Sequence, residues 1–476
     1  MNSLTKTLVF SLLLSTAWIF PQCQISDFRH IVIIYQENRS PDNLFQGLCG
    51  PARGLCPNPY NLQNFGIDSL GQTVPLTQVA LGSPHDPDHS HSGFDQMCHL
   101  DAHTNQCRMD GLSSANCSTS QCSFEYVEPS DVAPYVTMAQ RYGWANFMFQ
   151  TNQGPSAPSH QFIFGGTSAP SAVDDEAATF VSENPSGLGC LAPLNALYNF
   201  ISPQTAPKES HLLNNPLGTM CFTRDTMATL LDRHSPQLSW KYYTPGTDSI
   251  WTAPNWIKEI CQPDATFTKC TGAEWTNNVD LKPANVLTDI GACNLRNVIW
   301  VIPAGQNSDH PEPGGVSVGG PSWVSSIVNK IGQSACTDTV NGRTLSYWQD
   351  TAIILTWDDW GGWYDHEPPT LLSVPHLGQG DYQYGFRVPL VVISAYTPKG
   401  YIDNQRHDFG SILRFVEHNF GIAEGALNFA DQRATTDLTN FFNLNQPPRS
   451  FNPISAPVGE DFFLNDTRPM DPPDTD

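Results

Sequence analysis

The sequence is short of positive charge. Its 476 residues include 23 Lys and Arg against 46 Asp and Glu, a formal net charge of −23 at pH 7. A surface this acidic repels nucleic acids and anionic membranes, so we expect no nucleic-acid partner. Charged residues make up only 14% of the chain and hydrophobic residues 39%, a composition typical of a globular protein with a large buried core.

Long apolar runs are missing everywhere except at the beginning of the chain. Lys6 precedes the run 8–20, which only Ser and Thr residues interrupt and which is too short for a confident membrane span. A basic residue before such a run is typical of a signal peptide, so we predict a signal peptide over residues 1–23 and a secreted or periplasmic protein. A single N-terminal anchor is the alternative.

CxxC doublets, a common sign of a zinc site, are also absent. Of the 13 cysteines, Cys23 falls in the predicted signal peptide, and the remaining twelve are an even number that six disulfides would satisfy. Spacing does not determine the connectivity, but it favours short loops and two longer links. The candidate pairs are Cys49/Cys56, Cys117/Cys122, Cys261/Cys270, Cys190/Cys221 and Cys293/Cys336.

The most informative stretch is residues 351–369, TAIILTWDDWGGWYDHEPP. Its apolar, β-branched beginning predicts a buried strand over residues 351–357. Asp358 and Asp359 follow directly, and adjacent carboxylates repel each other unless a metal, a proton or an arginine neutralises them. With His366 close behind, the pair favours a cation site over a helix cap or a solvated turn.

Two other predicted strands also end in polar side chains. The strand over residues 30–35 leads into Glu37 and Asn38, and the strand over residues 297–302 leads to His310. Because ligands of open α/β sheets lie beyond the carboxyl ends of the strands, groups that are distant in sequence can converge there. Oxygen ligands from two such strand ends suit a hard or borderline divalent cation.

A serine lies where another predicted strand, residues 142–150, leads into a helix. A turn before a helix offers Ser156 backbone N–H groups for an oxyanion, although an ordinary helix cap is the simpler explanation of this serine taken alone. A metal beside it would favour phosphoryl or sulfuryl transfer through a seryl intermediate. His89, His310 and His366 would then contact the phosphoryl oxygens or protonate the leaving group.

Alternating strands and helices predict an α/β fold with a mostly parallel central sheet, flanking helices and long disulfide-tied loops. No linker divides the strand series, so we predict one catalytic domain over residues 24–446. Residues 447–476 form a Pro/Asp-rich tail, either an ordered wrap or a frayed end. Further helices are predicted over 132–141, 224–233, 320–331 and 408–420, further strands over 238–243 and 388–394, and an irregular insertion over 245–290.

These motifs resemble the bacterial phosphoesterase family that contains phosphatidylcholine-type phospholipases C and an acid phosphatase branch. The resemblance covers most of residues 29–420. Its segments are QENRSPDNLFQG (36–47), DPDHS (86–90), GPSAPSH (154–160), SWKYY (239–243), SDHP (308–311) and the long, highly specific run 319–369.

The resemblance implies an alkaline-phosphatase-superfamily core and a metal-dependent phosphoester hydrolase. By position it implies that a divalent ion of unknown identity is bound by Glu37, Asn38, Asp358 and Asp359. It makes Ser156 the nucleophile and places His89, His310 and His366 at the phosphoryl group.

Substrate choice stays open at this stage. The phospholipase C branch usually has Thr followed by His-Pro-Asn-Arg at the nucleophile, whereas the run here is Ser156-Ala-Pro-Ser-His160, and the acid branch uses Ser. A phospholipid diester and a phosphomonoester are both candidate substrates. A sulfatase is one alternative, although its C/S-x-P-x-R motif ends here in His160. A non-catalytic binding protein of the same fold is another, although every expected metal position is filled.

Overall fold

The structure is a computed structural model of the chain. It describes residues 24–49, 56, 59–104, 106–119, 122–169, 179–180, 189–192, 197–201, 210–214, 221–247, 249–311, 319–373 and 381–470. The predicted signal peptide and the last six residues of the predicted tail lie outside the described residues.

An eight-stranded sheet forms the centre of the molecule. Its strands, numbered in chain order, are β1 (His30–Gln36), β2 (Gly143–Met148), β3 (Trp240–Tyr243), β4 (Val279–Asp280), β5 (Val298–Val301), β6 (Thr351–Trp357), β7 (Leu390–Ile393) and β8 (Tyr401–His407). They lie in the order β4-β3-β5-β1-β6-β7-β2-β8. β7 is antiparallel to both of its neighbours and the other pairings are parallel, so the predicted mostly parallel α/β sheet is confirmed.

The neighbouring strands β1 and β6 are buried along their whole length. Strands covered on both faces read as continuous apolar runs, which is why both were recognisable in the sequence. They pair in parallel from His30 opposite Thr351 to Gln36 opposite Trp357. The residues that follow Gln36 and Trp357 therefore leave the sheet side by side.

Helices flank the sheet. The α-helices are α1 (Pro41–Leu44), α2 (His91–Cys98), α3 (Ala133–Arg141), α4 (Ser156–Gly165), α5 (Met227–Arg233), α6 (Ala273–Asn278), α7 (Asn285–Gly291), α8 (Gly319–Gly332), α9 (Tyr347–Asp350), α10 (Phe409–Phe420), α11 (Ala430–Arg433) and α12 (Glu460–Leu464). The ends of α10 show how local chemistry sets the bounds. The Asp408 carboxylate accepts the backbone N–H of Ser411 at its start, and Gly421 ends it with a left-handed φ of 69°. Among the described residues no helix is both long enough and apolar enough to cross a bilayer.

Short β-ladders are present in addition to the central sheet. They are Phe65–Ile67 with Thr73–Pro75, Thr77–Val79 with Glu125–Val127, Leu100–Asp101 with Gln106–Cys107, Gln262–Pro263 with Cys270–Thr271, Thr337–Val340 with Arg343–Ser346, Leu371–Ser373 with Asp381–Gln383, and the three strands Thr179–Phe180, Leu197–Ile201 and Ser210–Asn214.

Two strands of the sheet were not predicted. β8 lies at the edge of the sheet beside β2, and its YIDNQRH sequence is polar because several of its side chains face solvent. β4 has only two residues and lies at the opposite edge, inside the stretch predicted to be irregular, 245–290. That prediction was also wrong for α6 and for most of α7, helices too short to show a clear periodicity.

Disulfides tie the loops to the core. All five pairs proposed from spacing are confirmed, and Cys98–Cys107 is a sixth. The sixth joins the end of α2 to the short strand Gln106–Cys107. Six disulfides are typical of a protein that folds in an oxidising compartment.

Two parts of residues 447–470, Ile454 and α12, pack against α8. Asn329 and the backbone of Ile454 exchange two hydrogen bonds of 2.8 Å. In α12, the ring of Phe463 meets Trp323 edge to face with the ring centroids 5.2 Å apart. This part of the chain therefore contributes buried apolar surface to the core.

Phe463→Ala tests that contribution. Phe463 is 2% exposed, so its removal should leave a cavity and lower the free energy of unfolding by about 3 kcal/mol. The neighbouring Phe462 is 40% exposed, and Phe462→Ala is the matched control, with an expected loss below about 1 kcal/mol. Thermal and denaturant unfolding of both variants measure the difference. Equal losses would contradict the packing described for Phe463.

Candidate functional site

Three chain segments converge at the carboxyl edge of the central strands. Glu37 and Asn38 follow β1, Asp358 and Asp359 follow β6, and Ser156 begins α4. Four of them have no exposed surface and Ser156 is 2% exposed. The parallel register of β1 and β6 is what brings the first two segments together.

The backbone holds the two strand ends tightly. Asn38 has a left-handed φ of 60°, and its N–H donates to Asp358 Oδ1 at 3.0 Å. The N–H of Arg39 donates to the carbonyl of Asp359, also at 3.0 Å. Gly361 has a φ of 64°, and a Cβ there would lie 2.2 Å from the Asn38 carbonyl oxygen. Position 361 therefore requires glycine, because the backbone there lies so close to Asn38.

Each aspartate has one oxygen anchored by a backbone N–H. Asp358 Oδ1 accepts from Asn38, and Asp358 Oδ2 has no hydrogen-bond partner among the described residues. Asp359 Oδ1 accepts from the N–H of Gly361 at 2.7 Å, and Asp359 Oδ2 lies 3.0 Å from Ser156 Oγ. Ser156 Oγ is also 3.3 Å from Asn38 Oδ1. The hydroxyl thus lies among oxygens that belong to both strand ends.

These residues fit a divalent cation. Three fully buried carboxylates, Glu37, Asp358 and Asp359, are expensive to keep charged without a counter-charge. The unpartnered Asp358 Oδ2 and the amide oxygen of Asn38 complete an oxygen-rich donor set of the kind that hard and borderline cations prefer.

His160 was not among the predicted site residues. Its Nε2 lies 3.3 Å from Glu37 Oε1 and 3.8 Å from Asp358 Oδ2, so it borders the same cluster. It follows Ser156 by four residues in α4, so the two side chains lie on the same face of the helix. This spacing is visible in the sequence and could have identified His160. Burial lowers the pKa of His160 to about 4, although Asp358 opposes this shift, so the imidazole is neutral at pH 7.

His89 and His310 lie beside the cluster. His89 Nε2 is 3.0 Å from Asn38 Nδ2, and the two histidine rings are 6.2 Å apart at 74°. The Nδ1 of His89 donates to the Pro87 carbonyl at 3.0 Å, and that of His310 to the Pro311 carbonyl at 3.1 Å. A proton held on Nδ1 leaves Nε2 as the nitrogen that can exchange a proton in the site.

Arg39 links these segments and was not anticipated either. Its guanidinium donates two hydrogen bonds, of 2.9 and 2.6 Å, to the carbonyl of Asp309, the residue before His310. It also donates to the Leu81 carbonyl at 3.2 Å and lies 5.2 Å from the ring of Trp363. Burial lowers the pKa of Arg39 to about 10, against the opposing effect of Asp309, so the side chain stays charged.

His366 belongs to a different network. Its Nδ1 lies 2.6 Å from Asp42 Oδ2, and its Nε2 lies 3.0 Å from Asn61 Oδ1. The adjacent Asp365 accepts two hydrogen bonds from the buried guanidinium of Arg387. Among the described contacts of His366, none is with residues 37–38 or 358–359. Its predicted role at the phosphoryl group stays a prediction.

The ion pair between His366 and Asp42 can be tested by measuring the stability of the fold as a function of pH. Burial lowers the pKa of His366, but the charge and hydrogen bond of Asp42 raise it and outweigh burial, so the net pKa lies above the ordinary 6.5. The protonated ring therefore stabilises the fold fully below about pH 6.5, and this stabilisation is lost as the pH rises through the raised pKa. His366→Gln should lower the melting temperature most near pH 6 and least near pH 9.

His234 provides the control for that experiment. Its Nδ1 faces the Pro236 carbonyl at 2.8 Å rather than a carboxylate, so His234→Gln is the matched substitution of a histidine outside such an ion pair. A His366→Gln effect that stays constant with pH would contradict the ion pair with Asp42.

Known proteins share this sequence pattern. A family model described as the Phosphoesterase family matches residues 28–423. A non-hemolytic phospholipase C of Pseudomonas aeruginosa is 24% identical over 463 residues, which cover 89% of this chain and 58% of that protein. Phospholipase C B of Mycobacterium tuberculosis is 22% identical over 463 residues, which cover 90% of this chain and 80% of that protein.

The relatives differ from this chain in length, and the chain spans 58% of the first of them. Among solved structures, an alkaline phosphatase superfamily protein from Vibrio parahaemolyticus is similar at a TM-score of 0.35 and 10% identity, covering 86% of this chain and 69% of that chain. Because the family model spans most of its length, the chain belongs to the phosphoesterase family.

Proposed function

We propose that this protein is an exported, metal-dependent phosphoester hydrolase of the phospholipase C type that acts through a seryl-phosphate intermediate. The observation that carries the proposal is the hydroxyl of Ser156, which lies 3.0 Å from Asp359 and 3.3 Å from Asn38 within a buried carboxylate cluster. The names of the relatives support phospholipid diesters as the substrate class. Six disulfides support export.

Glu37, Asn38, Asp358 and Asp359 would hold the divalent cation, with His160 beside it. A cation bound there would lower the pKa of the serine hydroxyl and offset the negative charge of the phosphoryl oxygens. The positive end of α4, at which Ser156 lies, favours an anionic group in the same place.

The residues of the chain account for each part of a two-step reaction. Ser156 gives up its hydroxyl proton, for which Asp359 Oδ2 is an acceptor in contact, and Oγ attacks phosphorus. The bond from phosphorus to the leaving alcohol breaks, and the imidazole of His89 or His310 protonates the leaving oxygen. Water then attacks the seryl phosphate while the imidazole takes one of its protons, the bond from phosphorus to Oγ breaks, and the proton on Asp359 returns to Oγ as the phosphate product leaves.

Replacement of the nucleophile is the first test. Ser156→Ala should reduce hydrolysis of phosphatidylcholine vesicles and of bis(p-nitrophenyl) phosphate by roughly 10³-fold or more, because it removes the oxygen that forms the proposed covalent intermediate. Ser159→Ala is the matched control in the same helix, since its Oγ contacts Asn152 and Pro155 instead of the carboxylates. Undiminished hydrolysis by Ser156→Ala would rule out this nucleophile.

Metal removal is the second test. Dialysis against a chelator should abolish hydrolysis, and adding back one divalent ion should restore it. Asp358→Asn, which removes the charge that faces the cluster, should raise the metal concentration needed for half-maximal activity by at least about tenfold. Asp101→Asn, at a carboxylate paired with Arg108, is the control and should leave it unchanged. Activity that survives both chelation and Asp358→Asn would exclude a metal-dependent mechanism.

The same assays decide between the two branches of the family. Faster hydrolysis of phosphatidylcholine and bis(p-nitrophenyl) phosphate than of p-nitrophenyl phosphate is expected. A preference for the monoester would contradict the phospholipase C type and favour a phosphatase of the same mechanism.

A further inference from the structure

A second group of potential metal ligands lies at the other end of β1 and β6. His30 is the first residue of β1, and Asp350 ends α9 directly before β6. Asp338 comes from the short strand Thr337–Val340. One potential ligand atom from each of the three lies within 4.8 Å of the other two. The seven residues of β1 separate this group from Glu37 by roughly 20 Å.

Both ring nitrogens of His30 face acceptor oxygens. Its Nδ1 donates to the carbonyl of Arg296 at 2.7 Å, and its Nε2 lies 2.9 Å from Asp338 Oδ2, where a cation would replace the proton between the two groups. The ring of Tyr347 packs edge-on against it with the centroids 4.8 Å apart. A backbone carbonyl on one ring nitrogen fixes the orientation of the ring and of the other nitrogen.

Asp350 is the observation that points to a ligand. It has no exposed surface, and neither carboxylate oxygen has a hydrogen-bond partner of normal geometry among the described residues. A buried carboxylate without partners is costly, and a bound cation removes that cost.

We propose that His30, Asp338 and Asp350 bind a structural zinc ion or a related first-row divalent ion. One imidazole nitrogen with two carboxylate oxygens is a borderline donor set that suits such ions. Zinc bonds of 2.0–2.2 Å place tetrahedral ligands roughly 3.4 Å apart, a spacing that the three groups reach with small adjustments. The side chain of Asp338 is 29% exposed, which provides an entry path and space for water as a further ligand.

A zinc ion there would join three parts of the chain. It would connect the first residue of β1, the residue before β6 and the Thr337–Val340 ladder, and so secure the two strands whose other ends carry the candidate active site. Its expected effect is on thermal stability and not on the chemical step.

The experiment separates this ion from the one in the proposed function. The full chain with Glu37→Gln and Asp358→Asn serves as the parent, since it lacks two carboxylates of the candidate active site. Metal-free parent protein titrated with zinc should bind one tight equivalent, measured by native mass spectrometry, and melt several degrees higher. An anomalous zinc signal should lie between His30, Asp338 and Asp350.

Two further substitutions test the ligands in that parent. Asp350→Asn and His30→Gln should each abolish the tight equivalent and the rise in melting temperature. Asp350→Asn keeps the side-chain shape and removes an unpartnered charge, so the metal-free variant should be at least as stable as its parent. His418→Gln is the control, because His418 and Asp437 form an ordinary pair at 2.7 Å, and it should leave the zinc response unchanged.

Either of two results would overturn the proposal. One is a parent that binds no tight zinc, which would mean that a proton shared among His30 and the two aspartates takes the place of the cation. The other is unchanged zinc binding in Asp350→Asn and His30→Gln. In the wild-type background, Asp350→Asn should retain phosphoesterase activity, so a failure of the catalytic proposal would appear with Ser156→Ala and leave the zinc result intact.

Discussion

The parallel pairing of β1 with β6 is the interaction on which the rest of the structure depends. It runs over seven residue pairs, and both strands are buried on both faces. Because the pairing ends at Gln36 and Trp357, Glu37 and Asn38 meet Asp358 and Asp359 directly beyond it. A shift of one residue would exchange the faces of the strands and separate the two halves of the cluster, so core packing and site geometry impose the same register.

Burial of the carboxylates makes the candidate site suited to a cation and also destabilises the folded state. Carboxylates without exposed surface are destabilising unless other groups compensate their charge, and the N–H groups of Asn38 and Gly361 and the hydroxyl of Ser156 donate to two of them. Such preorganised, poorly solvated oxygens would hold a cation strongly for the same reason. Buried Arg39 joins the end of β1 to the loop of His310, so the rigidity of the core extends to that loop.

The central strands were predictable because each is a short apolar run, and their polar ends identified the candidate site. His160 was not predicted as a site residue, although it follows Ser156 by four residues. A single histidine in an apolar helix is easily taken for an ordinary core residue. His366 is a different case. It follows Asp359 by seven residues, but Gly361 and Gly362 turn the chain with positive φ angles, and the imidazole contacts Asp42 and Asn61. None of its described contacts is with the carboxylate cluster, and its role at the phosphoryl group remains a prediction.

The sequence by itself predicted the fold class, the positions of the buried strands, five candidate disulfide pairs and the polar residues at the strand ends. These follow from local pattern, because hydrophobic periodicity and spacing are properties of short segments. Only the tertiary structure decided which polar groups meet. Three examples join residues from segments that are distant in sequence, and no local pattern encodes such contacts. They are the hydrogen bonds of Arg39 to Asp309, the contact of His160 with Glu37 and the His30–Asp338–Asp350 group.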